Sequence, residues 1–231
     1  MKKDYIMNKI KGGLIVSCQA EESEPLHSSF IMSKMALAAK VGGAVAIRAN
    51  GIEDIIAIKE TVDLPIIGLM KVVYENQERY ITPTFKEINA LIEVGVDIIA
   101  LDVTLRDGYT LEMYKEIADY AHKHDTLVMA DVSNIEEGLV AEAAGFDMIS
   151  STLSGYTNNS PKLSGPDFNL VKDLTEKVNI PVIAEGRIFG EENLRKMLSF
   201  NPFAIVIGGA ITRPQMITEK YSTIIKEYKK A

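Results

Sequence analysis

The chain has 231 residues, 47% of them hydrophobic and 25% charged, and a formal net charge of −7. That length and apolar content can fill one large core, so a single domain over residues 1–231 is expected, and the acidic balance without a basic stripe argues against a nucleic-acid partner. No apolar run reaches the roughly 18 residues of a membrane span, and the start MKKDYIMNKIKGG lacks the apolar stretch of a secretory signal; a cytoplasmic protein with no membrane partner is expected.

In chain order, the first apolar run is 13–19 (GLIVSCQ). A helical pattern over 26–41 follows, with Ile31, Met35, Ala38 and Ala39 at helical spacing and Gly42 and Gly43 to stop it. The second run, 44–49 (AVAIRA), leads to a helix near 52–60, and the third is 65–71 (PIIGLMK). Thr84 with Glu87 three residues on has the spacing of a capping box, ahead of Phe85, Ile88, Leu91 and Ile92. The fourth run, 98–104 (IIALDVT), is followed by a helix near 111–124, and the fifth, 127–133 (LVMADVS), by a helix that Asn134 can cap. Its first turn holds Glu136 and Glu137, where the helix dipole favours anions. The sixth run is 148–154 (MISSTLS), the seventh 181–187 (PVIAEGR) and the eighth 204–210 (AIVIGGA), with helices near 167–176, 191–198 and 214–229.

Each run is too short for a helix and too uniformly apolar for a strand with one wet face. They read as parallel strands covered on both sides, and eight of them alternating with helices predict an α/β fold, a closed (β/α)₈ TIM barrel. An open doubly wound sheet is the alternative, but no GxGxxG follows the first strand.

In a barrel the site forms where the strands end, and these ends carry Gln19, Arg48, Lys71, Asp102, Asp131, Glu185, Gly208 and Gly209. Gly186, Gly208 and Gly209 let backbone N–H groups approach an anion after the seventh and eighth strands, where barrels commonly hold phosphate, and Arg213 is placed to complete the clamp. The competing reading is a pair of tight turns. Alternation along the strands puts Lys71 on the face of Ile67 and Leu69, and Glu185 on the face of Ile183, so both reach the mouth if those faces point inward. Such a pair can move a proton; a snorkelling surface lysine is the competing reading. Gln19, Arg48 and Asp131 suit hydrogen bonds to hydroxyls or to a developing oxyanion, or else cap nearby backbone. Asp102 has several polar neighbours and its role stays open. Cys18 reads as a small buried hydrophobe, since no histidine falls near a strand end to activate it. His27, His122 and His124 form no metal-binding set, and no metal is expected.

The runs SCQA, AIRANG, PIIGLMK, ALDVT, ADVS, STLSGYT, AEGRI and VIGGAITRP, in this order and over nearly the whole chain, resemble the bacterial N-acetylmannosamine-6-phosphate 2-epimerase family. The resemblance implies a TIM barrel like those that bind ribulose phosphate. It implies interconversion of N-acetylmannosamine 6-phosphate and N-acetylglucosamine 6-phosphate in sialic acid and amino-sugar breakdown. Lys71 and Glu185 match the family's catalytic lysine and glutamate, and Gln19, Arg48, Asp131 and Arg213 its substrate-contacting positions. The stretch 73–84 and the tail are where the sequence varies. The hydrogen on carbon 2 is acidic only once the sugar ring opens to an aldehyde, and its removal leaves an enolate. Lys71 is the preferred proton carrier with Glu185 assisting, the reverse assignment being the alternative. The chemistry calls for no cofactor. The expected partner is a phosphosugar, with a homodimer left open. A Schiff-base aldolase and a non-catalytic phosphosugar-binding protein are the other readings.

Overall fold

The computed structural model describes residues 2–229. Helix α1 (Lys2–Ile10) precedes the repeating part of the chain: β1 (Leu14–Cys18), α2 (Ser29–Val41), β2 (Ala46–Asn50), α3 (Ile52–Lys59), β3 (Ile66–Leu69), α4 (Phe85–Val94), β4 (Ile98–Asp102), α5 (Leu111–Lys123), β5 (Leu127–Asp131), α6 (Ile135–Ala143), β6 (Met148–Ser150), α7 (Phe168–Lys177), β7 (Val182–Glu185), α8 (Gly190–Leu198) and β8 (Ala204–Ile207). A short α9 (Gly209–Thr212) and the longer α10 (Pro214–Tyr228) close the described chain. The strands run parallel and pair in sequence order, and β8 returns to β1, so the sheet is the closed eight-stranded barrel expected from the apolar runs.

Two apolar layers hold the barrel, because residues alternate between its faces. Ile15, Ala46, Ile67, Ile98, Met129 and Ile183 belong to the inner cluster, while Val16, Ile47, Ile66, Ile99, Val128 and Val182 pack outward against the helices. Helix α1, which the sequence reading passed over, adds Ile6 and Ile10 to the inner cluster and stoppers the barrel at the amino ends of the strands. Its two isoleucines stand four residues apart on one face, a spacing too short on its own to stand out.

Local chemistry sets the helix starts. Thr84 and Glu87 form the capping box, Asn134 accepts from the Glu137 amide at 3.0 Å, and Asp167 accepts from the Leu170 amide at 3.0 Å. Helix α2 begins three residues later than its apolar pattern, because residues before Ser29 turn over the mouth, with His27 Nδ1 3.1 Å from the Ala20 carbonyl oxygen. At Gly68 a Cβ would meet Val96 Cγ1 at 2.5 Å, so only glycine lets this part of β3 pack beneath α4.

Candidate active site

The inward row of most strands is apolar below and polar at its carboxyl end, while those of β3 and β8 stay apolar to Leu69 and Val206. Register pairs Ser17 with Arg48, Asp102 with Asp131 and Asp131 with Ser150, which brings charges remote in sequence to one level. Above them opens a cavity of about 1100 Å³ whose wall includes Gln19, Arg48, Lys71, Glu185, Gly208 and Arg213. Gly186 and Gly209 line it as well, so nearly all the sequence-predicted positions converge there. Asp131 and Asp102 do not line it.

Asp131 stands behind Arg48. The guanidinium is 1% exposed and the carboxylate 0%, and they meet in a two-pronged pair, Arg48 Nη1 donating to Asp131 Oδ1 at 3.0 Å and Nη2 donating to Oδ2. Nη1 also donates to Glu185 Oε2 at 2.7 Å. Burial alone would lower the arginine's pKa, yet Asp131 and then Glu185 hold it above its ordinary value, so Arg48 is a fixed cation. Its Nε–H has no hydrogen-bond partner among the described residues and remains a spare donor. Burial raises the Glu185 carboxyl above the usual carboxylate range; Arg48 opposes that shift and Asp131 adds to it. Its backbone is clasped by Ser151, whose Oγ donates to the Glu185 carbonyl at 2.9 Å and accepts from its amide at 3.0 Å.

The other charges sit at the rim. Lys71 pairs with Glu21 from the β1–α2 loop, and Glu185 with Arg48, so the lysine and the glutamate share the cavity without being each other's ion-pair partner. Arg213 Nε lies 2.8 Å from Glu24 Oε1, which also accepts from Gln215 Nε2 at 2.9 Å. Burial would raise the Glu24 carboxyl, but the Glu21 amide and Arg213 outweigh it and hold it below the usual range. Gln19 donates to Ser17 Oγ at 2.9 Å. Gly208 lies close against β1, where a Cβ would meet that of Ser17 at 3.2 Å, and Thr212 Oγ1 donates to the Ser17 carbonyl at 2.8 Å, tying α9 to the same strand.

Asp102 holds structure together instead of facing the cavity. It accepts from Thr104 Oγ1 at 2.6 Å and Arg106 Nη2 at 2.7 Å, and burial, the largest influence, leaves its carboxyl above the usual range. Its carbonyl takes Arg79 Nε and Nη2 at 3.1 and 2.9 Å, while the guanidinium of Arg79 lies 3.5 Å from the Tyr109 ring centroid. That anchor folds the loop after β3 back on itself, with Lys71 bridged antiparallel to Ile81 and Thr82 Oγ1 donating to the Ala100 carbonyl at 2.7 Å. It delivers Tyr80 to the cavity wall, its hydroxyl pushed up to about 12 chiefly by burial and then by Asp102 and Asp131. The sequence reading assigned this stretch no role. It also missed Thr152 and Tyr156 on the wall, although both stand within the STLSGYT run. Cys18 is buried and its thiol pushed up to about 12 by burial, with Asp54 adding, which leaves it a packing residue.

The family model described as "Putative N-acetylmannosamine-6-phosphate epimerase" matches residues 32–227. A relative from Caldanaerobacter subterraneus subsp. tengcongensis bearing the 2-epimerase form of that description is 55% identical over 226 residues, covering 96% of this chain and 94% of its own. One from Clostridium perfringens with the same description is 52% identical, covering 96% of this chain and 100% of its own. The solved structure of the N-acetylmannosamine-6-phosphate 2-epimerase from Clostridium perfringens superposes with a TM-score of 0.90 at 50% identity, over 94% of this chain and 95% of that one. A thiamine phosphate pyrophosphorylase from Pyrococcus furiosus, at 21% identity and a TM-score of 0.60, shares the fold alone. The chain belongs to the N-acetylmannosamine-6-phosphate epimerase family.

Proposed function

We infer that this protein is an isomerase that interconverts N-acetylmannosamine 6-phosphate and N-acetylglucosamine 6-phosphate by removing and returning the proton at carbon 2, in amino-sugar and sialic acid catabolism in the cytoplasm. The observation that carries the chemistry is the meeting of Arg48, Lys71 and Glu185 on the wall of one cavity whose rim ends in Gly208, Gly209 and Arg213.

The phosphate is held by the backbone at Gly186, Gly208 and Gly209 with Arg213, which exchanges its carboxylate partner Glu24 for the phosphate oxygens. That fixes one end of the open-chain sugar and leaves carbon 2 and the aldehyde to reach the strand ends. The permanently charged Arg48, with its spare Nε–H, stabilises negative charge as it develops on the aldehyde oxygen, and Gln19 orients a hydroxyl. Asp131 acts one step back, by fixing the Arg48 plane. Lys71 carries the proton at carbon 2. Glu185 assists as acid or relay, a role suited to a carboxyl that burial helps to stay protonated.

The assembly is a homodimer. Helix α10 has 15 residues and buries none of them, leaving Tyr221, Ile224, Ile225 and Tyr228 exposed, an apolar face that a second copy would cover. Light scattering should then return twice the chain mass.

The deciding experiment is incubation with N-acetylmannosamine 6-phosphate in deuterated water, followed by NMR. Deuterium should enter at carbon 2 as the second sugar phosphate appears, without added nucleotide. A carbon 2 that keeps its hydrogen would reduce the protein to a binder, and substrate trapped on Lys71 by borohydride would make it an aldolase.

A further inference from the structure

Thr152, which follows β6, places one hydroxyl between the two carboxylates of the buried cluster. Its Oγ1 lies 2.8 Å from Asp131 Oδ1 and 3.0 Å from Glu185 Oε2, and Arg48 Nη1 approaches the same oxygen at 3.2 Å. A threonine hydroxyl has a single hydrogen. With both carboxylates ionised it can be donated to only one of them, and the other contact is left as two oxygens facing each other with no proton between. Asp131 is already committed to a two-pronged pair with Arg48, so it is the carboxylate that can do without the threonine hydrogen, and Glu185 is the one that needs it when ionised.

We propose that Thr152 is a positioning residue that turns its hydroxyl between Asp131 and Glu185 and so keeps Glu185 hydrogen-bonded and aligned in both protonation states of the reaction. When Glu185 holds a proton it donates to Thr152 Oγ1, and the threonine hydrogen points to Asp131. When Glu185 has given that proton up, the threonine hydrogen swings to Glu185 Oε2, and Arg48 alone supports Asp131. No covalent bond of the threonine breaks; only its hydroxyl turns. Ser150 Oγ, 2.8 Å from Thr152 Oγ1 and 3.4 Å from Glu185 Oε2, is a second hydroxyl that turns with it. The other groups around Glu185 cannot play this part. Arg48 on β2 only donates, Asp131 on β5 only accepts, and Lys71 at the end of β3, Tyr80 in the following loop and Arg187 beyond β7 line the same cavity without a hydrogen bond to its carboxylate among those of the described residues.

The kinetic arm of the test rests on the epimerase reading; the titration arm does not. In protein labelled with ¹³C at the glutamate carboxyls, the Glu185 signal is assigned by its loss in Glu185→Gln and followed against pH. Thr152→Val removes the donor that the ionised carboxylate relies on, so its midpoint should move to higher pH by roughly one unit, the size of one hydrogen bond to a charged group, and Thr152→Ser should bring it back. In turnover, Thr152→Val should lower kcat about tenfold with little change in KM, and move the Glu185-governed limb of the pH profile the same way, again restored by serine. A valine variant that fails to fold is replaced in both measurements by Thr152→Ala, which removes the hydroxyl without adding bulk. A midpoint in the hydroxyl-free variant equal to the parent's, or a serine variant as shifted as the valine one, would overturn the proposal. A parent protein that leaves carbon 2 unlabelled would overturn the epimerase reading while the titration still decided the role of Thr152.

Discussion

The floor of the cavity and its rim use the same chemistry, arginine or lysine against carboxylate, to opposite ends. On the floor, Arg48 and Asp131 are 1% and 0% exposed and locked in a two-pronged pair with Glu185 attached. At the rim, Lys71 and Arg213 are 27% and 28% exposed, and their partners Glu21 and Glu24 come from a single loop. Exposed pairs of that kind are worth only about 0–1 kcal/mol, because water screens them and ordering two long side chains costs entropy. A phosphate or a sugar oxygen can take the place of Glu21 or Glu24 at little cost. A buried pair cannot be exchanged in that way, because each charge removed from water depends on the other. On the proposed mechanism, the fixed floor would be preorganised for charge that develops during reaction, and the self-paired rim would be opened by substrate.

Four substitutions would break or sharpen that contrast. The largest effect belongs to the floor: Asp131→Ala leaves Arg48 buried without its two-pronged partner and should cost about 3–5 kcal/mol of stability, read from urea unfolding. A loss below about 1 kcal/mol would mean that the floor behaves like a surface pair. Next come the proton-moving groups. Lys71→Ala and Glu185→Ala should each lower kcat by roughly 10²-fold or more, and the double variant should be little worse than the poorer single one, since residues acting as a unit are not additive. Near-parental kcat in Lys71→Ala with unchanged circular dichroism would make the lysine a surface charge. The smallest effect on the fold belongs to the rim. Arg213→Ala should leave stability within about 1 kcal/mol while raising KM for the phosphorylated sugar roughly tenfold or more, with the unphosphorylated sugar a poor substrate for the parent. Equal efficiency on both sugars would remove the case for a phosphate clamp.

The pH response also separates the two regions. The Glu185 carboxyl titrates higher folded than unfolded, so between its ordinary value and its raised one the folded state binds more protons and stability falls as pH rises. Glu24 at the rim has a lowered value and the reverse sign: its contribution is present above the ordinary carboxylate value and is lost as pH falls through the lowered one.

Much of this protein could be read without coordinates, because the signals are local. Runs such as IIALD and LVMAD announce buried parallel strands by being apolar at every position but the last, and the polar residue that ends each run belongs to the inward row because alternation has a period of two. Thr84 with Glu87, and Asn134, announce helix starts because a capping side chain reaches only two or three residues. Eight such units close in sequence order, so the strand ends that carry Gln19, Arg48, Lys71, Glu185 and Gly208 had to meet at one mouth.

What only the tertiary structure decided is which of those residues holds which. Arg48 takes Asp131 and Glu185, 83 and 137 residues away, Lys71 takes Glu21, and Arg213 takes Glu24. Nothing in a window of a dozen residues distinguishes these pairings from the expected meeting of Lys71 with Glu185, since they follow from the register of neighbouring strands and the path of the loops above them. The loop after β3 had no readable role for the same reason: its anchor is Arg79 on a carbonyl and a ring contributed by β4 and the segment beyond it, and it gains meaning only once those are in place. Helix α1 was equally silent, because two isoleucines on a short polar helix become a core only when the closed barrel offers them its open end. Periodicity and caps are properties of a short stretch of chain, whereas charge pairing and loop anchoring depend on distances that exist only after the barrel has closed.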